Sequence, residues 1–428
     1  MNLLETYSKR LNVSESVHAK AHGGEGLSNN KKMAIAMVLN NTNRFMNEAF
    51  SNSVGTQRAD LGMWKKFCLN LTTVALPNLI AHDLVLVHPM SSMSGYITYV
   101  KYTVGSNKGE SKRGEVINDP FRLGKVDVNY TSSKVVETIA EGQTELAWGP
   151  VVEGSIEKFA DGKWEKVEGA YTPNAGDKVR YHYDNVVIPQ NDLPIVNASI
   201  ESMALVAKAR RVAVYYSQIA AFQAKTDYGF DLGDQLAEKA VGQLSYEIDT
   251  EITDLLIEMA GAADSELVWN KAIPAGISKA EHYEGFAEVV EIAKQKIYDR
   301  TKRFAPNYML ASSSVMPVLP FIKGWKAAPT SKLNGPYFAG TLNGIKVFVT
   351  PNIEAGKFVM GVNGDDMMSS AAVYAPYMAV VPTQLLGYAD GAMSQGWSTL
   401  YALEKLNDEL VIAGSIINDP TKNVVYTA

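Results

Sequence analysis

The sequence predicts an α+β protein built from several parts, because two kinds of periodicity alternate along it. Apolar residues at helical spacing lie near the N-terminus and across residues 199–303, whereas alternating β-branched and aromatic residues occupy 94–140 and 306–406. At 428 residues, with 46% of them hydrophobic, the chain is long enough for roughly two to four folded units. The expected order is an arm, a β-hairpin, a β-insertion, long helices, an α/β unit and a return to strands.

The first 25 residues predict a separable segment. Four apolar residues form one stripe of a short helix: Leu3, Leu4, Tyr7 and Leu11. A polar stretch follows and ends in the glycine-rich residues 23–26, which disfavour regular structure. A second helix is predicted from Ser28-Asn29, since both residues are good N-caps. Residues 51–62 read as an extended arm that needs another surface to lie on.

Residues 94–140 predict long β-strands around a polar tip. Residues 96–104 alternate aromatic or β-branched residues with small or polar ones, and the tip spans 105–114. Strand-like runs return at 125–130 and 134–139. Two strands alone are marginal in water, so this hairpin needs a covering surface.

A short buried strand is predicted earlier, at residues 84–87, and a small β-insertion later, at 145–190. Within the insertion, Asp161-Gly162 and residues 173–177 mark turns, and 178–187 reads as a strand.

Three helices are predicted next. Residues 199–225 contain no Gly or Pro, which favours a helix of about 27 residues and ~40 Å. Its middle is basic, through Lys208, Arg210 and Arg211. A second helix is expected over 234–259, ended by Gly261, and a third over 282–303. Strands then follow at 306–312, 345–350, 358–362, 371–374, 377–381 and 396–406, with a helix start at Ser313-Ser314.

Catalytic motifs are scarce. The single cysteine, Cys68, excludes an intramolecular disulfide and a Cys-based zinc site, and its apolar neighbours predict a buried thiol. His82, Asp83 and His88 are the one local metal-ligand candidate, but they lack HExxH-type spacing, so structural roles are favoured. Nucleophile-elbow and phosphate-loop patterns do not occur, and Asp365-Asp366 is typical of a solvated turn. We expect no enzyme, no cofactor and no metal.

Charge also restricts the function classes. With 40 Lys and Arg against 46 Asp and Glu, the net charge is −6, and no basic tract offers the phosphate neutralisation that nucleic-acid binding requires. Apolar runs of the ~20 residues that span a bilayer do not occur either. The basic cluster at 208–211 is expected on a solvated helix face or in an inter-subunit salt-bridge network. The arm and the hairpin predict a subunit that completes its core by assembly.

Several blocks resemble one protein family. Residues 76–90 read LPNLIAHDLVLVHPM and are followed by SGY at 94–96, which is similar to the segment leading into the E-loop of T-even-like tailed-bacteriophage major capsid proteins. Further similar blocks, in the family's order, lie at 200–228, 236–254, 307–312, 338–347 and 371–377. The resemblance spans about residues 70–405.

The resemblance implies an α+β fold of the tailed-phage (Hong Kong 97-type) capsid class. The parts it implies are an N-terminal segment removed on maturation (1–25), an N-arm (26–70), a P-domain built on a long spine helix (71–90, 199–261 and 386–428), an extended β-hairpin E-loop (91–198) carrying the insertion at 145–190, and an α/β A-domain (262–385).

The implied function is that of a major capsid protein, assembled in the host cytoplasm and residing in the virion. Hexamers and pentamers would form an icosahedral shell around double-stranded DNA, with non-specific contact to that DNA. A scaffolding protein and a portal would act during assembly; a prohead protease and a decoration protein are further candidate partners. Two alternatives are an encapsulin-like compartment shell and a minor pentameric vertex homologue. A third alternative is a metal-assisted hydrolase that uses His82, Asp83 and His88.

Two sets of site residues are predicted. The expected assembly contacts are Trp64, Phe67, Tyr96, Tyr99, Tyr102, Arg210, Arg211, Tyr374 and Tyr377. The candidate maturation cleavage is the bond between Glu25 and Gly26, although Gly23 stands where the family's protease site has a hydrophobic residue. For the insertion, packing between capsomers and binding of a decoration protein both stay open.

Overall fold

The computed structural model describes residues 3–24, 26–51, 68–118, 129–184, 193–229, 232–274, 276–328, 335–383 and 386–419. The chain divides into two compact units, one of Met1–Tyr96 with Ala204–Ala428 and one of Ile97–Met203. Helices and sheets both contribute, which confirms the predicted α+β class.

The helices are α1 (Leu3–Thr6), α2 (Ser8–Ala21), α3 (Asn29–Ser51), α4 (described over 68–75), α5 (Ala81–Leu84), α6 (Gln218–Asp227), α7 (Leu232–Ala260), α8 (Lys279–Glu284) and α9 (Phe286–Thr301).

The strands are β1 (Leu86–Val87), β2 (Ser94–Val104), β3 (Val116–Asn118), β4 (Lys134–Thr138), β5 (Glu157–Ala160), β6 (Lys163–Lys166), β7 (Lys178–His182), β8 (Val196–Val206), β9 (Lys208–Ser217), β10 (Val268–Asn270), β11 (Tyr308–Ala311), β12 (Trp325–Ala327), β13 (Tyr337–Leu342), β14 (Ile345–Val349), β15 (Lys357–Gly361), β16 (Ala372–Pro382), β17 (Leu386–Gly387), β18 (Ala392–Lys405) and β19 (Val411–Ile417).

The first unit contains two mixed sheets. One has the order β1-β16-β18-β17, with β9 antiparallel to β18, and the other has the order β10-β19-β15-β11-β14-β13-β12. Helix α7 confirms the second predicted helix: Leu244, Ile248, Ile252 and Leu256 recur every fourth residue and are all buried. Gly261 follows with a left-handed φ of 67°, as a helix-ending glycine should.

The second unit confirms the predicted strand at 96–104 and the β-insertion. The insertion sheet has the order β4-β7-β5-β6, and its small core includes Val135, Trp148 and Tyr181. Asp161 and Gly162 connect β5 to β6 with φ of 48° and 79°, the left-handed pair that a tight hairpin turn requires.

Lys108 ties the polar tip to this insertion. Its ammonium is buried and donates to the carbonyl oxygens of Tyr130 at 2.7 Å and Ser132, and to the Tyr183 hydroxyl at 3.1 Å. The same ammonium lies 5.5 Å from the ring centroid of Trp148, within cation–π range. A second tie joins Lys178 to Glu110 of the tip at 2.5 Å.

The predicted helix over 199–225 is wrong. Strands β8 and β9 occupy residues 196–217, and only α6 is helical. The physical reason lies in the composition of β9, KARRVAVYYS, whose β-branched and aromatic residues favour an extended chain once β18 supplies hydrogen-bond partners from Ala392 to Tyr401. Absence of Gly and Pro permits a helix but does not require one.

Smaller differences have local causes. Leu84 ends α5, so the strand predicted at 84–87 shrinks to β1, which pairs in parallel with β16. Residues 313–318 are turns rather than a helix start, because the Ser314 hydroxyl accepts a hydrogen bond from the Gly356 backbone N–H at 2.7 Å instead of capping a helix. Of the predictions at 51–62 and 125–130, residues 52–62 and 125–128 lie outside the described residues.

The N-terminal segment is part of the first unit's core rather than a separate piece. Helix α2 continues to Ala21, well past the predicted apolar stripe, and buries Leu11, Ser14 and His18. Ser28 caps α3 as expected, since its hydroxyl accepts a hydrogen bond from Lys31 N–H at 3.4 Å.

Candidate assembly surface

Helix α6 presents apolar side chains to solvent. The exposed fraction is 72% for Ile219 and 70% for Phe222, and it is 76% for Tyr228, the residue directly after the helix. Ala224 is the sole buried residue of α6. The helix begins at Ser217, whose hydroxyl caps it by accepting a hydrogen bond from Ala220 N–H at 3.0 Å. Exposed Tyr215 of β9 extends the surface, its ring centroid 6.4 Å from that of Tyr388. We name Tyr215, Ile219, Phe222 and Tyr228 the α6 patch.

Strand β9, which carries Tyr215 of the patch and leads directly into α6, is held by an ionic network on its other face. The Arg210 guanidinium contacts Glu251 at 2.6 Å and Glu247 at 3.2 Å, both on α7. The Tyr401 hydroxyl contacts both Arg210 and Glu251, and burial together with the Glu251 carboxylate raises its pKa. This network fixes β9 against α7 and β18.

Arg210 and Arg211 therefore have different surroundings. Arg210 pairs inside its own subunit, whereas Arg211, the next residue along the strand, is exposed and has no ion pair within the described ranges. The prediction of an inter-subunit contact stays better suited to Arg211 than to Arg210.

The second unit carries its own exposed apolar face on β2 and β8. Ile200 is 79% exposed, and Val100 and Tyr102 are also exposed. Tyr99 is half-buried and donates to Glu201 at 3.0 Å, which holds the two strands in register. In the first unit, Tyr96 at the start of β2 is exposed too.

Burial bears on one predicted contact. Tyr374 lies in the core of its own subunit with its ring centroid 5.3 Å from that of Tyr401. Its block, residues 372–382, is the buried strand β16, and the apolar run that suggested an interface is a core run instead. Tyr377 is half-buried. Trp64, Phe67 and Glu25 lie outside the described residues, and Gly26 is exposed.

The predicted helix over 199–225 does not indicate the α6 patch as a surface, because it places Tyr215, Ile219 and Phe222 on one continuous helix. The signal that could have revealed it is the period of two in 208–217, which places Arg211 and Tyr215 on one side of the sheet and Arg210 and Val212 on the other. An apolar stripe indicates a face whose burial is favourable, but it does not show whether the same chain covers that face.

Cys68, His82 and Asp83, which the sequence offers as candidates for chemistry, are buried parts of the fold. Cys68 is buried, which confirms its prediction, and burial raises its pKa to about 12. His82 and Asp83 are buried in α5, where His82 has its pKa lowered to about 3 by burial. Within the described ranges no group of three or more His, Cys, Asp or Glu is arranged to hold a metal ion. None of the described helices is both long and apolar enough to span a membrane.

Comparison with known proteins agrees with an assembly role. The family model described as "Major capsid protein Gp23" matches residues 61–425. The major capsid protein of Enterobacteria phage T4 is 23% identical over 394 residues, covering 77% of this chain and 73% of the relative, and that of Escherichia phage AR1 is 22% identical over 395 residues, covering 77% and 73%.

Among solved structures, the capsid of Myoviridae phage XM1 covers 78% of this chain and 90% of its own at 9% identity and a TM-score of 0.39, too low to support an argument. The family match spans most of the chain, including α6, β9 and the whole second unit. The chain belongs to the Gp23 family of tailed-phage major capsid proteins, which places it in the virion shell.

Proposed function

We propose that this major capsid protein closes an icosahedral head as hexamers and pentamers and encloses double-stranded DNA. The observation that carries the proposal is the α6 patch: four large apolar side chains that the described parts of their own subunit leave open to solvent. Exposed apolar surface of this kind marks interaction sites in proteins that do not function alone. The partner proposed for it is a second copy of the same chain.

Complete burial of one large apolar side chain stabilises an assembly by about 1.5–3 kcal/mol, so four of them supply about 6–12 kcal/mol before the costs of association. A shell contains many such contacts per subunit, and weak individual contacts then still give a stable closed particle. The strongly held β9 supports this role, because a rigid platform loses little conformational entropy on docking.

The test compares matched variants of the full-length chain. Ile219→Ser with Phe222→Ser is expected to abolish closed particles under conditions where the unchanged chain forms them. Gln223→Ser, an exposed polar position on the same helix, serves as the control and is expected to assemble normally. Electron microscopy and sedimentation measure the particles, and circular dichroism reports folding of the subunits. Normal shells from the double variant would contradict the assignment of the patch.

The same particles separate this function from its two alternatives. A phage head protein gives particles that fill with double-stranded DNA and contain hundreds of copies, whereas an encapsulin-like shell carries protein cargo and a vertex homologue is present only at the pentamers. Nucleic-acid content and copy number per particle, measured by absorbance and quantitative mass spectrometry, therefore decide among the three.

Further partners follow from the same proposal. A scaffolding protein and a portal would organise assembly, a decoration protein would bind the outer shell, and a prohead protease would cut between Glu25 and Gly26. N-terminal sequencing of mature particles tests the last point, since a terminus at Met1 or Asn2 would contradict cleavage. We assign the subunit no catalytic role, in keeping with a structural family.

A further inference from the structure

Three histidines and one carboxylate form a buried cluster where α2 meets the rest of the first unit. His18 of α2 and His22, which directly follows α2, stack with ring centroids 4.3 Å apart, and His82 of α5 lies 5.9 Å from His18 edge-on. All three rings are buried, as is Asp83, whose Oδ2 lies 2.7 Å from His22 Nδ1. Neither ring nitrogen of His82 has a hydrogen-bond partner within the described residues.

The cluster ends a series of polar contacts that residues spaced four apart make along one face of α2. Arg10 donates to the Asn70 side chain at 2.7 Å, Ser14 donates to the Thr73 carbonyl at 3.0 Å, and His18 Nδ1 lies 3.1 Å from the Pro77 carbonyl. His22, with Asp83, continues the spacing of four residues. Because residues four apart share one helix face, a single polar face of α2 docks along residues 70–83. We name Arg10, Ser14, His18 and His22 the α2 latch.

The segment ends in a close fit. Gly23 adopts a left-handed φ of 78°, and a Cβ atom at this position would approach the Phe338 ring to 2.7 Å. The latch therefore has a defined end, at which the chain turns away toward Gly26 over a point where only glycine fits.

Charges around the cluster are already unequal. Asp83 faces Lys346 of β14 at 2.9 Å and Lys31 of α3 at 3.8 Å, in addition to His22. Glu15 of α2 lies nearby but pairs with Lys32 at 3.0 Å. One carboxylate thus faces two ammonium groups, and each proton added to a histidine ring increases an excess of positive charge in a buried site.

We propose that two of the buried histidines, His18 and His82, make docking of α2 dependent on pH, so that mild acid releases the α2 latch from the subunit. The rings are accommodated as neutral groups that fill the interface, and protonation converts them into mutually repelling cations next to two lysines. Release carries His18 into water and uncovers His82, where both rings are charged at no such cost.

The direction of the effect follows from the histidine pKa values. Burial, followed by neighbouring positive groups, lowers the pKa of His18 to about 4 and that of His82 to about 3, from an ordinary value near 6.5. The docked state therefore binds fewer protons, and docking is fully favoured above about pH 6.5 and weakens as the pH falls toward these lower values. Two protons taken up on release change the docking equilibrium by up to about 100-fold per pH unit.

Two carboxyl groups near the cluster also respond to pH, and neither of them produces release of α2 on acidification. Burial raises the pKa of Asp83, but the hydrogen bond to His22 and the two lysines outweigh burial and hold that pKa below its usual range. Asp83 therefore stays ionised while His18 and His82 titrate. Asp249 of α7 accepts from Ile80 N–H at 3.1 Å, and its burial raises its pKa. Asp249 does not lie on α2, and its protonation on acidification favours the folded subunit, which opposes rather than mimics release.

Hydrogen exchange of the full-length subunit, read by mass spectrometry, tests the proposal between about pH 4 and about pH 8. The readout is the protection factor of α2 peptides relative to α9 peptides, each corrected for the unfolded-chain rate at the same pH. We expect α2 to lose protection below about pH 6 while α9 keeps it, and to recover on neutralisation. His18→Gln with His82→Gln is expected to remove most of this pH dependence, and His182→Gln, an exposed histidine, to leave it unchanged.

Contrary outcomes are equally clear. Equal loss of protection in α2 and α9 would mean global unfolding, and α2 protection that does not vary with pH would mean that the latch does not titrate; either overturns the proposal, as would an unchanged profile in the double variant. If that variant fails to protect α9 at about pH 8, His18→Gln alone replaces it, with the expectation that the pH slope falls by about half.

Discussion

Helices α2 and α6 contrast in how the same subunit uses a short helix. The α2 sequence is the more polar of the two, yet it buries Leu11, Ser14 and His18 and pairs its polar groups with residues 70–83. The α6 sequence is more apolar, yet Ile219 and Phe222 are open to solvent. Polarity therefore does not decide which helix is internal. Polar groups that find fixed partners can be buried, and apolar groups that the chain does not cover mark where another molecule binds.

The largest expected effect removes the charge at the centre of the α2 interface. Asp83→Asn keeps the side-chain size but leaves Lys346 and Lys31 without their buried counter-ion, which should cost about 3–5 kcal/mol of unfolding free energy. Urea denaturation of the subunit measures it. Asp366→Asn, in an exposed turn, is the control and should change stability by less than about 0.5 kcal/mol.

The comparison of the two helices is tested directly by truncating one apolar residue in each. Leu11→Ala creates a cavity in the core and should lower the unfolding free energy of the free subunit by about 2–4 kcal/mol. Ile219→Ala removes an exposed side chain and should change that free energy by less than about 0.5 kcal/mol, while raising the protein concentration needed for assembly. Equal destabilisation of the free subunit by both would show that α6 is covered within the chain.

A smaller difference is expected between two adjacent arginines. Arg210→Gln breaks a half-buried network with Glu247 and Glu251 and should cost about 1–2 kcal/mol of subunit stability. Arg211→Gln should leave the stability of the free subunit unchanged and act, if at all, on particle formation. Thermal unfolding of both variants together with light scattering of their particles separates the two roles; the reverse pattern would contradict the assignment.

The smallest expected effect concerns the strands of the second unit. Tyr99→Phe removes one hydrogen bond to Glu201, half-buried on the sheet, and should cost about 1 kcal/mol or less. The rate of limited proteolysis within residues 97–203 is the measurement. Tyr102→Phe on the same strand is the matched control. A larger effect from Tyr102→Phe than from Tyr99→Phe would contradict the stabilising role assigned to the Tyr99 hydroxyl.

Sequence patterns revealed what depends on neighbours along the chain. The apolar period of α7, the alternation of β2 and the Asp161-Gly162 turn were all correct, because each is fixed by residues a few positions apart. Strand β9 is not recognisable from a local period, because its partner β18 lies 175 to 193 residues away in sequence. The same holds for Lys346, which contacts Asp83 across a separation of 263 residues in sequence.

The buried ammonium of Lys108 has a mechanical consequence for the second unit. A lysine that points inward onto three carbonyl oxygens and a tyrosine hydroxyl is not available to amine-directed reagents, whereas exposed Lys112 of the same tip should react readily. Pulling on the tip would strain those anchoring bonds and transmit the load into the insertion sheet.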